Sequence, residues 1–508
     1  MFCGDEVSAI VGDVGTDWSK FGYAGEDLPK AVLPSMVGFG SSSSCSSSSS
    51  STTSSSSSSS SSAAAAAAAA SSSSSSAASP SSSASSVPAG ASAGVGAGGQ
   101  HASAAAAAAA SLSIGTAALH CRRDGVELRG PTTDGLISDW EVTEKLWGYA
   151  LDEMLHVDPR EHPVLATEPS FNTRANREKY AELIFEKFQV PALYIAKSAV
   201  LSAFALGRAT ALVVDCGAAT TSVTPVLDGY ILRSAMCKSP LGGTYLTDQF
   251  GEMLRDSPAH KAACASIAPR YTVSRAAKLR SRKHGRDGDL KAASFTPAPP
   301  LLFPGTHPTY EAYMRRDVLR DMKETACVMP EVTLNEELAA KMPAVTYELP
   351  DGTVVQLGLE RYKVPERLMA PVANAAAAPP GSGDELGGQQ TGEGAEGSEG
   401  GATALHTMIH QSISKCHVDI RRDMCKSILL TGGGSLFHYM PERLNYELVQ
   451  LVPASFKVQF LACEPTQRKF GSWMGGSILA SLGSFQQMWL SKAEYLEHGA
   501  DVVERRFL

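Results

Sequence analysis

The chain has 508 residues, of which 43% are hydrophobic and 19% charged, with a formal net charge of −8. That length exceeds one ordinary compact domain, so two or more lobes are expected. The modest net charge excludes a function that depends on a strongly basic or acidic whole molecule.

Met1–Glu6 is acidic and lacks the basic and apolar regions of a signal peptide. Val7–Val14 then reads as a buried strand that runs into Asp13-x-Gly15, and Trp18–Tyr23 as its hairpin partner. Residues 41–111 contain 62 Ser, Ala or Gly out of 71 and no Lys, Arg, Asp or Glu. Such a stretch has too little apolar surface to offset the entropy of ordering, so it is expected to be a disordered insert outside any core. Its longest small-apolar run, Ala63–Ala70, is too short to span a bilayer.

Glu141–Leu155 carries Val142, Leu146, Trp147, Ala150, Leu151, Met154 and Leu155, a helical stripe. Thr173–Phe188 is likewise amphipathic. Ala211–Asp215 is a second apolar strand ending in Asp215-x-Gly217, followed by a β-rich stretch, Thr220–Val226. Two such hairpins about two hundred residues apart predict two related lobes facing each other across a cleft. Between residues 270 and 291 lie eight Lys or Arg and two Asp, a patch for phosphates, an acidic protein surface or an import receptor, or a plain solvated loop. Residues 373–404 form a second Gly/Ala/Glu-rich gap with five acids and no base. Removing both gaps leaves about 405 residues for folding, near −3 in charge. Lys426–Leu430 predicts a strand, Leu436–Leu451 a helix, and Gly475–Trp489 a small-residue helix that packs closely on its neighbours. The ten cysteines include no Cys-x-x-Cys pair, so reduced thiols are expected.

A tight Asp-x-Gly turn can aim backbone N–H groups at phosphate oxygens, and its carboxylate can hold a hydrated Mg²⁺. For either hairpin alone, an ordinary turn with Asp bonding its own backbone is the stronger reading. A third motif, Thr431-Gly432-Gly433-Gly434-Ser435, shifts the balance, because glycines at a strand-to-helix turn let a flat base lie on the backbone. Taken alone, that motif reads as a helix entry capped by Ser435. Together the three loops suggest a nucleotide between two lobes, and GxxxxGK[ST] is absent, so a P-loop is not supported.

The chain resembles the actin family across nearly all of its length outside the inserts. The likeness rests on Phe21-Gly22-Tyr23-Ala24-Gly25-Glu26-Asp27, His162-Pro163-Val164-Leu165-Ala166-Thr167-Glu168 and Ala175-Asn176-Arg177-Glu178-Lys179. The stretch from Trp473 through Leu482, with Phe485-Gln486-Gln487-Met488-Trp489, is the most specific. Within the family, Gly4–Val7, Lys238–Gly243 and Met342–Glu348 resemble the nuclear actin-related protein 4 class, also called actin-like protein 6. The resemblance implies an α/β, actin-like two-lobed fold with a central nucleotide cleft. Lobe 1 would comprise 1–34, 134–205 and 471–508, with a small subdomain at 35–133. Lobe 2 would comprise 206–240 and 405–470, with an outer subdomain at 241–372 and the linker 373–404.

The resemblance also implies site residues. Asp13, Gly15, Thr16 and Lys20 match the first phosphate loop, and Asp215 and Gly217 the second. Lys323, Glu324, Gly432, Gly433 and Gly434 match nucleoside-binding positions, with Lys469 and Phe470 on the adenine side. The expected ligand is ATP with Mg²⁺ on Asp13 and Asp215. The departures fall where hydrolysis would be catalysed: Ala218 and Ala219 replace an acid and a glycine, Ser198 the water-orienting glutamine, and Ser222 a histidine. Such losses should slow phosphoryl transfer severely. Asp17 would repel phosphate unless it points away. A stable or slowly exchanging ATP is therefore expected, then an empty pocket, then active turnover.

The class implies a nuclear protein, with the cytoplasm as a second compartment, that acts as a scaffold subunit of chromatin-remodelling or histone-acetyltransferase complexes. Expected partners are monomeric actin and a helical segment of a remodelling ATPase or scaffold subunit, with histones or nucleosomal DNA further candidates. No membrane and no filament are expected, since the insert at 41–111 sits where filament contacts would form. The alternatives are an actin-superfamily ATPase and a divergent cytoskeletal actin.

Overall fold

The computed structural model of the chain describes residues 8–40, 112–258, 267–273, 301–371 and 403–507. Met1–Val7, the insert 41–111, residues 373–402 of the linker and 274–291 of the basic stretch lie outside the described residues.

Two sheets carry the body, and their central strands are the apolar runs of the sequence. In the first, Ile10–Val14 pairs antiparallel with Trp18–Tyr23, which sets Asp13 opposite Lys20. Val164–Glu168 runs parallel to Ile10–Val14 on its other side and Ala192–Lys197 parallel to Val164–Glu168. Ala31–Pro34 and Leu490–Ser491 complete six strands. In the second sheet, Ala211–Cys216 pairs antiparallel with Thr221–Leu227, with Asp215 opposite Ser222. Ile428–Thr431 again lies parallel to the first strand of the hairpin. Each sheet thus repeats one unit, a hairpin turning at Asp-x-Gly beside a parallel strand, as the internal echo in the sequence predicts. Ile10, Val11, Val164, Leu165, Leu212, Val213 and Val214 are fully buried, the pattern of strands covered on both faces.

Val37–Gly40, Leu112–Ser113 and Val126–Arg129 form a small sheet whose first two strands flank the Ser/Ala insert in the sequence. Phe39 pairs with Leu112, so residues 41–111 depart from and rejoin two adjacent strands. Closing so long a loop costs little more than closing a short one, because the entropy grows only logarithmically with length.

The predicted helices need three corrections and one predicted strand a fourth. Asp139 caps Trp140–Tyr149 by accepting from the Val142 amide at 3.1 Å, and the helix continues as a wider turn over Ala150–Leu155. That widening rotates Met154 out of the predicted stripe, leaving it 40% exposed while the other six positions are buried. The segment expected at Leu436–Leu451 begins only at Met440, because Gly433–Leu436 forms a 3₁₀ turn and Pro441 fixes the first helical turn. The expected Gly475–Trp489 helix instead spans Pro465–Ser481, and Gly483–Gln487 is 3₁₀. Its start is set by Pro465 and by Gln467, whose side chain accepts from the Glu464 amide at 3.0 Å. The predicted Lys426–Leu430 strand is Ile428–Thr431, since Lys426 still belongs to the helix Val418–Lys426.

The close packing expected of the small residues is present. A Cβ at Gly475 would lie 1.9 Å from the Leu201 carbonyl oxygen of the Ser198–Ala205 helix. That contact holds the helix with Lys469 and Ser472 against the one that begins with Ser198. No helix of the described residues is long and apolar enough to cross a membrane.

Candidate functional site

Asp13 ends the first central strand and receives three side-chain donors. Lys20 Nζ reaches Oδ2 at 2.7 Å, Ser472 Oγ reaches Oδ2 at 3.0 Å, and Thr167 Oγ1 reaches Oδ1 at 2.5 Å. Burial alone would raise its pKa, but the Lys20 charge and these hydrogen bonds together hold it below the ordinary carboxylate value. Asp215, its counterpart in the second hairpin, goes the other way. Burial first, and then the Asp13 charge, push it up to about 6, with Lys20 offsetting only part. The first turn's carboxylate thus bears on the second, and the surplus negative charge rests on Asp215. Among the described residues no group of three or more His, Cys, Asp or Glu could hold a metal. Two carboxylates suit a cation that keeps most of its waters, such as Mg²⁺.

Backbone contacts define the turns. Ser35 pins the first by donating from Oγ to the Gly15 carbonyl at 2.6 Å and from its amide to the Asp17 carbonyl at 2.9 Å. A Cβ at Gly15 would lie 2.8 Å from the Trp18 carbonyl, so the turn needs glycine there. Thr16 Oγ1 accepts from Thr132 Oγ1 at 2.9 Å. In the second turn the Gly217 amide donates to the Thr220 carbonyl at 3.0 Å. The Gly243 and Thr244 amides donate to the Gly217 and Ala218 carbonyls, each at 2.9 Å, fastening that turn to the start of the Gly243–Asp256 helix.

The glycine loop closes on the second turn. Gly432 has φ of 84°, and a Cβ there would lie 2.5 Å from both Asp215 Oδ1 and the Cys216 carbonyl. Beside Gly433, by contrast, the space is open. The Gly432 amide donates to the Arg468 carbonyl at 2.8 Å, and Arg468 Nη1 to the Ser435 carbonyl at 3.2 Å. Arg468 Nε is buried without a partner. Ser435 caps no helix; its Oγ donates to the Gly432 carbonyl at 2.7 Å and holds the loop folded. Phe470 is half-buried and Lys469 exposed, with the ammonium 5.4 Å from the Phe470 ring centre.

The remaining expected residues are more committed internally than the resemblance implies. Lys323 is buried, donates to the Gly243 carbonyl at 2.8 Å and Thr247 Oγ1 at 2.9 Å, and has its pKa lowered by burial. Glu324 is exposed. The Asp17 charge acts on Tyr313, Arg320 and Lys323 of the facing Pro308–Ala326 helix.

The positions that depart from the family pattern hold no replacement base. Ser198 opens its helix, and its carbonyl accepts from Ser202 Oγ at 2.8 Å. Lys197 is buried and committed to Glu168 Oε1 at 2.9 Å, while Arg177 donates to both Glu168 oxygens, at 2.7 and 3.0 Å. Ala218 and Ala219 pack on Gly242, where a Cβ would lie 2.3 Å from the Ala218 carbonyl. The structure thus brings together Asp13, Lys20, Asp215, Gly217, Gly432 and Gly434, and adds Ser35, Thr167 and Ser472, which the sequence did not single out. The open space at Gly433, the partnerless Arg468 Nε and the uncompensated Asp215 fit a polar ligand with its cation.

A family model described as actin matches residues 4–508. An "Actin-related protein 4" of Arabidopsis thaliana is 40% identical over 507 residues, spanning the whole of both chains. A protein of the same description from Oryza sativa subsp. japonica is 37% identical over 509 residues, again over the whole of both. One from Schizosaccharomyces pombe is 29% identical over 524 residues, covering all of this chain and 99% of the relative.

Proposed function

The chain belongs to the actin family, and from that membership we propose that it is a nuclear, non-polymerising scaffold subunit of chromatin-remodelling or histone-acetyltransferase complexes. It holds ATP with Mg²⁺ as a structural ligand and hydrolyses it very slowly or not at all. One juxtaposition carries the ligand part of this reading. Two carboxylates and a glycine loop meet, while the surrounding positions that would orient an attacking water are Ala218, Ala219, Ser198 and Ser222.

In this reading Asp13 and Asp215 hold the hydrated cation, and Lys20 supplies positive charge beside the phosphates. The N–H groups of the two turns face the phosphate oxygens. Gly432, Gly433 and Gly434 receive the nucleoside, flanked by Lys323, Glu324, Lys469 and Phe470. When bound, the cation would neutralise the surplus charge on Asp215. Lys197 does not replace the missing glutamine, because its ammonium is committed to Glu168.

The partners proposed are monomeric actin and a helical segment of the large ATPase or scaffold subunit, with histones or nucleosomal DNA as further contacts. The absence of filaments is supported by the position of the insert in the sequence, between the paired residues Phe39 and Leu112 of the small sheet. Of the Lys and Arg residues in the basic stretch, Arg270 alone falls among the described residues, and it pairs with Asp321 at 3.2 Å and Asp317 at 3.7 Å. Any nucleic-acid contact therefore falls to the rest of the stretch. Affinity purification from nuclear extract should recover chromatin-complex subunits and actin. Recovery of cytoskeletal partners alone would overturn the assignment.

A further inference from the structure

Arg367 closes the short helix Glu360–Glu366, and its Nε is buried without a hydrogen-bond partner. Among the described residues its guanidinium makes no ion pair, because the carboxylates around it are committed elsewhere. Glu366, the preceding residue, gives both oxygens to Arg443, at 2.6 and 2.7 Å. The Gly243–Asp256 helix packs against Glu360–Glu366 and carries two exposed-side acids. Of these, Asp248 holds Arg316 at 2.9 and 3.2 Å, and Glu252 accepts from Gln249 Nε2 at 2.7 Å.

Tyr245 of that same helix is the second unanswered group. Its ring rests on the buried cluster that includes Leu246, Val364 and Leu368, and its Oη is buried without a partner. Burial pushes its pKa up and the Arg367 charge pulls it back, with Glu252 acting more weakly on the side of burial, so the guanidinium lies within electrostatic reach of the hydroxyl. Tyr245 is the third residue of its helix, the end that carries the positive part of the helix dipole. The Gly243 and Thr244 amides there already serve the Gly217 and Ala218 carbonyls, which leaves the two side chains to make any further contact. A buried donor left unmade costs stability, and two of them at one helix contact mark a missing acceptor. A water would satisfy the hydrogen bonds but not the charge. A carboxylate satisfies both, since its two oxygens accept from separate donors and share one negative charge.

We propose that Tyr245 and Arg367 form a carboxylate-binding site, with Arg367 Nε donating to one oxygen and Tyr245 Oη to the other. Neither residue belongs to the nucleotide reading, so the site stands or falls without it. Two sources can supply the carboxylate. One is a free small carboxylic acid. The other is the acids of the chain's own linker, 373–404, which has five acids and no base. The Leu405 amide donates to the Leu368 carbonyl at 2.8 Å, so that linker leaves and returns beside Arg367.

The full chain labelled with nitrogen-15 at arginine reports the Arg367 Nε–H directly by NMR. Arg367→Gln identifies that signal by removing it, and Arg367→Lys does the same should the first variant fail to fold. Sodium acetate is titrated against sodium chloride at equal ionic strength into three proteins. These are the parent, Tyr245→Phe, and a linker variant carrying Asp384→Asn, Glu385→Gln, Glu393→Gln, Glu396→Gln and Glu399→Gln. The site predicts that acetate moves the Arg367 signal saturably and that Tyr245→Phe weakens acetate about fivefold, the loss of one hydrogen bond. Saturable movement in the parent assigns the site to a free acid. A parent that ignores acetate, beside a linker variant whose signal starts elsewhere and then moves with acetate, assigns it to the linker. An Arg367 signal that ignores acetate in both proteins would overturn the proposal. So would acetate binding that Tyr245→Phe leaves undiminished in whichever of the two binds it.

Discussion

Substituting Gly475 by alanine tests whether the packing of two helices aligns the site. The new Cβ would sit 1.9 Å from the Leu201 carbonyl oxygen and 2.5 Å from its carbon, both backbone atoms that cannot rotate aside. Restoring an ordinary contact of 3.4 Å or more requires the Pro465–Ser481 and Ser198–Ala205 helices to part by about 1.5 Å. Overpacking of this kind costs about 1–3 kcal/mol, and fixed backbone on both sides places it at the upper end. Helix propensity returns about 1 kcal/mol for replacing glycine, so a net loss of about 2 kcal/mol is expected. The displacement also draws Ser472 away from Asp13, now 3.0 Å apart, and Arg468 away from the Gly432 amide, now 2.8 Å. Urea midpoints give the stability, and nucleotide content after gel filtration gives the second effect. Gly483→Ala, where a Cβ would meet nothing within 4 Å, is the matched control and should change neither. A Gly475→Ala protein as stable and as loaded as the Gly483→Ala control would refute the reasoning.

Four further substitutions probe the charges and the glycine loop. Asp215 titrates near 6 rather than at the ordinary 3.8, so the stability it allows is present below pH 4 and lost as pH rises through 6. Without nucleotide or Mg²⁺, Asp215→Asn should therefore gain on the parent by up to about 3 kcal/mol between pH 4 and 7.5; parallel pH profiles of urea midpoints would contradict this. Glu168→Gln leaves Lys197 buried without a carboxylate, while Arg177 keeps Glu504 at 2.8 Å, and should cost about 3 kcal/mol. Lys197→Met should cost clearly less, since Glu168 keeps both Arg177 contacts; chemical denaturation that ranks the two the other way would be evidence against the network. Gly432→Ala meets both a φ of 84° and Asp215 Oδ1 at 2.5 Å, so retained nucleotide should fall to background in a filter assay, and normal retention would contradict the loop geometry.

The central strands and both Asp-x-Gly turns were legible because they are local signals: a run of β-branched residues, then an acid and a glycine within three positions. The residues that serve Asp13 were not. Thr167 and Ser472 lie 154 and 459 positions away, and no periodicity links a hydroxyl to a carboxylate over such distances. Lys197, beside Ser198, takes its meaning from Glu168 on the adjacent strand, reached through parallel pairing that no local signal reveals. The late helix of the chain was misplaced for a different reason. Its small residues drew the boundary to Gly475, although Glu464, Pro465 and Gln467 carry the start signal ten residues earlier. Met154 followed the helical stripe on paper, and only the widened turn removed it from the core. Lys323 illustrates a residue whose position was legible and whose engagement was not, since a matched site lysine proves to be bound to the Gly243 carbonyl and the Thr247 hydroxyl.

The nucleotide released when the natively purified chain is denatured tests the central claim most directly. The account predicts close to one ATP per chain, still unhydrolysed after prolonged incubation with Mg²⁺. Conversion of the bound ATP to ADP in a single turnover as fast as actin's, or a chain that carries no nucleotide, would contradict it.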